Sequence, residues 1–115
     1  MAESILLTTT RVSTFVGTHL LTAASGFFFE RDGRLFLVTS RHVLFDQPTA
    51  HHPDRIEIPI HLDAHDLTRI AVVSVDLYRA GQGVWRQGRD QGGEVDVAAI
   101  EIDRARLPPS AQLRC

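Results

Sequence analysis

Residues 25–45 read SGFFFERDGRLFLVTSRHVLF, and the parsing of this stretch decides the fold. Asp32-Gly33 stands between two apolar, aromatic-rich runs, Phe27-Phe28-Phe29 and Leu35-Phe36-Leu37-Val38. Asp-Gly in that setting marks a tight hairpin, because glycine takes the positive φ of the turn without a Cβ clash. The apolar pattern then stops at Thr39-Ser40-Arg41-His42, and Val43-Leu44-Phe45 suits a short helical turn. His42 is thus delivered at the exit of a strand, where a rigid backbone holds an imidazole as a positioned base. A histidine at an element boundary with no chemical task is the competing reading.

Working outward, residues 1–11 form an arm or edge strand, and residues 12–21 (VSTFVGTHLL) read as a first strand bent or bulged at Gly17. Residues 22–25 are a small-residue connection into the hairpin. Residues 46–54 (DQPTAHHPD) carry two prolines and no periodicity, and are a loop. Residues 55–62 (RIEIPIHL) alternate, with Ile56, Ile58, Ile60 and Leu62 on one face and Pro59 on the other, which suggests an edge or bulged position. Residues 68–77 are a β-branched run. Residues 79–93 read as a Gly- and Gln-rich loop with a short strand near Val84-Trp85, and residues 95–102 (VDVAAIEI) are a last strand. Leu107-Pro108-Pro109-Ser110 stops it. About six or seven short strands with turn signals between them predict an all-β chain, most simply one small closed antiparallel barrel.

The composition narrows the function classes. At 115 residues the chain makes one domain. Its 12 basic residues, all Arg, oppose 14 acidic ones for a net charge of −2, so neither nucleic acid nor an anionic membrane is an expected partner. The single cysteine, Cys115, cannot form an internal bridge. Ile5-Leu6-Leu7 is too short for a secretory core, and no run approaches a membrane span. A cytoplasmic setting is expected.

Asp96 is the second notable residue. It interrupts the apolar strand Val95-Asp96-Val97-Ala98-Ala99-Ile100, where an unpaired carboxylate would be costly. It sits either at the surface end of the strand or beside a hydrogen-bonding partner. One strand exit presents an imidazole and one strand start presents a carboxylate, which is what a base and its orienting acid require.

Three blocks carry a resemblance: Ala24-Ser25-Gly26-Phe27-Phe28, then Leu37-Val38-Thr39-Ser40-Arg41-His42-Val43-Leu44, then Val95-Asp96-Val97-Ala98-Ala99-Ile100. In this order and spacing, residues from about 14 to 103 resemble the N-terminal half of trypsin-like (chymotrypsin-fold) serine peptidases of the bacterial, disulfide-free type. The resemblance implies a six-stranded antiparallel β-barrel over residues 12–104, the first of two. Residues 1–11 would be the N-terminal arm and residues 105–115 the start of the inter-barrel linker. It also implies a catalytic pair, His42 as general base and Asp96 as its orienting carboxylate, acting on a polypeptide substrate without cofactor or metal.

The family takes its nucleophilic serine, in a Gly-x-Ser-Gly setting, from the second barrel. No such block occurs in the 115 residues. Ser25, Ser40 and Ser110 lack the glycine-flanked elbow, and Cys115 lies too early to match. The expectation is a fragment that supplies the His and Asp of a Ser-His-Asp triad but not the Ser, inactive by itself, with the C-terminal barrel as its missing partner. The alternative is a non-catalytic β-barrel binding module or degenerate peptidase. His61, Asp63 and His65 alternate in HLDAH and would share one face of a strand, with His51 or His52 nearby, as a zinc set does. No second ligand cluster accompanies them, and a solvated turn is preferred. Arg86 and Arg89 beside Trp85 resemble a base-stacking surface, but Asp90 and Glu94 adjoin them.

Overall fold

The computed structural model describes residues 9–62, 66, 68–90 and 92–107. Among the described residues, nine strands and two short helical turns follow one another. They are β1 (Thr9–Val16), β2 (His19–Arg31), β3 (Arg34–Thr39), α1 (Arg41–Leu44), β4 (Arg55–His61), β5 (Ile70–Asp76), β6 (Tyr78–Arg79), β7 (Gln82–Gly83), β8 (Trp85–Asp90), β9 (Gly93–Ile102) and a 3₁₀ turn (Arg104–Arg106).

The Asp32-Gly33 hairpin forms as the sequence predicts. Both turn residues take positive φ, 53° and 76°, the pairing a I′ turn requires. The ladder aligns Phe28 with Leu37 and Gly26 with Thr39. Gly26 is needed for close approach: a Cβ there would lie 2.9 Å from the Val38 carbonyl oxygen and 3.1 Å from Val12 Cγ2.

The run 12–21 is not one bent strand. Gly17, at φ 57°, opens a two-residue loop that pairs Val16 with His19 and splits the run into β1 and β2. Positive φ at the first loop residue turns the chain fully back, which a bulge does not. The expected connection at 22–25 is accordingly the middle of β2. The expected loop at 79–93 also carries more structure than its composition suggests. Ala80 (φ 52°) and Gly81 (φ 80°) turn β6 into β7, and β8 then pairs with β9.

Seven strands form one antiparallel sheet in the order β5-β4-β1-β2-β3-β9-β8, with β6-β7 a separate pair. The fold is all-β and antiparallel. The hydrogen bonds do not make the expected closed six-stranded barrel, because β5 and β8 end the sheet and do not pair with each other. The reason lies in residues 77–84: Leu77 continues the β4-β5 ladder by donating its N–H to the Asp54 carbonyl, Val84 N–H bonds the Leu77 carbonyl, and the β6-β7 hairpin is inserted between them. The sheet nevertheless encloses one apolar core. Val12, Phe28, Leu35, Leu37, Ile56 and Ile58 meet there with Ile60, Leu77, Ala98, Ile100 and Ile102, and α1 adds Val43 and Leu44.

Pro59 sits opposite Val72 in the β4-β5 ladder, beyond the short β1-β4 ladder, which ends at Ser13–Glu57. Its missing N–H therefore costs no sheet bond, although β4 is not the end strand. Among the described residues no helix is long and apolar enough to cross a membrane. Residues 1–8 and 108–115, including Ser110, Cys115 and most of the expected linker, lie outside the described residues, as do Asp63 and His65.

Candidate functional site

The β3-β9 register builds the site. Thr39 pairs with Ala98, so α1, which begins two residues past β3, meets the start of β9 where Asp96 projects. The Asp96 carboxylate grips His42 at two points. Oδ1 accepts the His42 backbone N–H at 3.0 Å, and Oδ2 lies 2.6 Å from ring Nδ1. With Nδ1–H as the donor, Nε2 of the neutral imidazole is the acceptor nitrogen. Among the described residues no other group bonds the ring.

The backbone contact has a local cause. Ser40 stands at the N-cap of α1, yet its side chain makes no capping bond. Asp96 satisfies a first-turn N–H from across the sheet instead. The same bond, then the ring hydrogen bond and the positive field of Arg41, hold the Asp96 carboxyl below the usual carboxylate range. The side chains are about half exposed, 57% for His42 and 51% for Asp96, so this grip works close to water. Below the pair, the Thr39 hydroxyl donates to the Ser25 carbonyl at 2.9 Å and anchors the end of β3 to β2.

A groove of about 590 Å³ opens beside His42, with residues 21–24 of β2 on one side and Asp46, Thr49, Ala50 and His51 on the other. It exists because β3 stops at Thr39 while β2 continues back to His19. The Ser25 carbonyl faces the β3 side, and strand alternation turns the Ala23 backbone the same way, into the groove.

The loop histidines have structural tasks that their solvated sequence context hid. His51 Nε2–H donates to the Val43 carbonyl at 2.8 Å, and the His51 and Asp46 backbones pair. His52 packs against Phe45 in a tilted arrangement, 4.8 Å between ring centres and 56° between ring planes. Together they brace α1 from the side opposite β9. The signal was the hydrogen-bonding capacity of His beside a helix end, which composition alone does not resolve.

The remaining sequence candidates are dispersed. Ser25 lies within β2 and Ser40 precedes α1 with its carbonyl accepting the Val43 N–H at 3.0 Å, so neither faces the imidazole as a nucleophile would. His61 ends β4, with its Nδ1 buried. Among the described residues no three His, Cys, Asp or Glu side chains gather in a way that could hold a metal. Trp85 packs against the core rather than offering a stacking surface.

The outer face of β2-β3-β9 carries an apolar strip. Phe27, Phe29 and Val97 are exposed there, and the ladders set Phe36, Val38 and Ala99 among them. Compared with protein-family models, with curated proteins and with solved structures, the chain matches none of them.

Proposed function

We propose that this chain supplies the base half of a serine-endopeptidase active site. His42 is the general base and Asp96 the carboxylate that fixes its tautomer. Nε2 takes the proton of a serine hydroxyl as the acyl bond forms, then returns it to the leaving amine, while Asp96 stabilises the imidazolium. The observation that carries the reading is the two-point Asp96 grip, which leaves Nε2 as the acceptor. The nucleophile and oxyanion donors come from a second barrel. Without the serine, a comparable triad loses roughly a million-fold in kcat, about 8 kcal/mol of barrier.

The curled sheet around one core supports the role of first barrel in a two-barrel assembly. The exposed apolar strip of Phe27, Phe29 and Val97 offers a second body a surface to pack on. A polypeptide substrate lies in the groove beside His42, with its leaving-group side along β2. One cysteine in 115 residues and a core independent of bridges support a cytoplasmic setting.

The decisive test joins the chain to a second barrel and applies a serine-directed phosphonate. Labelling lost on His42→Ala and peptide hydrolysis slowed about 10⁴-fold on Asp96→Asn are expected. Labelling and hydrolysis indifferent to both substitutions would remove the assignment. A second reading, a non-catalytic binding module, is favoured by one observation: Asp96 is half exposed and also caps α1, a structural task that needs no chemistry. That reading predicts lower stability in Asp96→Asn and no hydrolysis or phosphonate labelling that depends on His42.

A further inference from the structure

The turn that carries His42 does not hold itself. α1 is four residues long, one helical turn, too short to keep its shape by its own bonds. Its start has no side-chain cap from Ser40. Two side chains from outside supply what is missing. From the β9 side, Asp96 accepts the His42 backbone N–H at 3.0 Å. From the loop side, His51 Nε2–H donates to the Val43 carbonyl at 2.8 Å. One bond satisfies a first-turn donor and the other a last-turn acceptor, the two kinds of group a helix leaves open.

The loop fixes the aim of His51. Asp46 and His51 exchange both backbone bonds at 2.9 Å, and Ala50 N–H returns to the Gln47 carbonyl at 3.0 Å. The Thr49 hydroxyl donates to Asp46 Oδ2 at 2.6 Å. Ala50 holds φ 55°, a left-handed conformation that costs a residue with a Cβ and persists only where the surroundings enforce it. Residues 46–51 are thus a closed loop that returns one ring to α1. His42 and His51 line the same groove, so the brace stands on the side where the base meets its substrate.

We infer that His51 is a positioning residue for His42: its Nε2–H, by holding the Val43 carbonyl, keeps α1 seated so that one Asp96 carboxylate reaches both the His42 backbone and ring Nδ1. The inference rests on the reading of His42 as the base of the site. The Nδ1 contact is 2.6 Å long and both side chains are about half exposed. When the turn drifts, water replaces the carboxylate at Nδ1, and the ring loses the bond that selects its tautomer. The task needs a donor at the Nε2 position and no charge.

The test compares His51→Gln with His51→Asn in the 115-residue chain. A glutamine amide stands near the place of Nε2 and can donate to Val43; an asparagine amide stands near the place of Nδ1 and falls short. Ring nitrogen NMR shifts report the tautomer of neutral His42. Wild type and His51→Gln are expected to show the Nδ1–H form, and the ratio of Nδ1–H to Nε2–H should fall about fivefold or more in His51→Asn. The Asp96 carboxyl, held down chiefly by the His42 N–H and then by its ring and Arg41, should titrate higher in His51→Asn alone. Lower stability in His51→Asn with tautomer and titration unmoved would reveal a structural brace only and overturn the inference. Equal changes in both variants would overturn the donor role. Neither readout needs a serine, so the two readings fail separately. Phosphonate labelling that requires His42, beside tautomer ratios equal in all three proteins, removes His51 alone. Labelling indifferent to His42 removes the base, and with it the task assigned to His51.

Discussion

Asp96 does two things with one carboxylate, and they separate on titration. Its pKa is depressed in the folded chain, chiefly by the His42 backbone N–H and then by the ring. A depressed carboxyl contributes stability above its unfolded pKa, near 3.9, and that contribution disappears as pH falls through the lower folded value. Unfolding free energy of the wild type is therefore expected to fall below about pH 4 more steeply than that of Asp96→Asn, the two curves converging in acid. Because both side chains are half exposed, water and salt screen part of the gain, and the difference should shrink in high salt. Denaturant titrations from pH 2 to 7 would measure it. The pairing of His42 with Asp96 was legible from the two sequence blocks. The backbone half of the grip was not, because it depends on Ser40 leaving the helix start uncapped.

Turn chemistry decides how the strands meet. Gly33 takes φ 76°, and Gly33→Ala is expected to cost about 1–2 kcal/mol while leaving the His42 and Asp96 resonances in place, since the turn lies at the other end of β3. Gly26→Ala works by contact rather than φ. Its Cβ would press on the Val38 carbonyl, for about 1–3 kcal/mol, and would disturb the nearby Thr39–Ser25 bond beneath the pair. Thermal melts and amide spectra of both variants distinguish the mechanisms. Of these elements, the Asp-Gly hairpin and the alternation of Ile56, Ile58 and Ile60 could be read directly, because turn type and period 2 are local. The hairpin at Gly17 could not: a lone glycine in a β-branched run signals a bulge as readily as a turn. Nor could β6 and β7, two residues each, whose pairing rests on an alanine in the left-handed region.

Across the whole molecule, one core supports every strand of the curled sheet. Leu37 is fully buried between Phe28 and Ile100 in the ladders, and Leu37→Ala is expected to lose about 2–5 kcal/mol, seen as a lower denaturant midpoint at unchanged slope. The all-β class was evident from strand patterning, since apolar period 2 recurs along the chain. Closure was not, because it depends on how residues 77–84 leave the sheet, and nothing in their Gly-rich composition specifies that path. One long-range feature has a temporal side. β3 finds its partner in β9, and His42 and Asp96 are 54 positions apart. During synthesis the imidazole emerges from the ribosome well before its carboxylate, and the alignment of the ring waits for the last strand to dock. Vectorial translation thus leaves the His42 ring unoriented until the sheet is nearly whole.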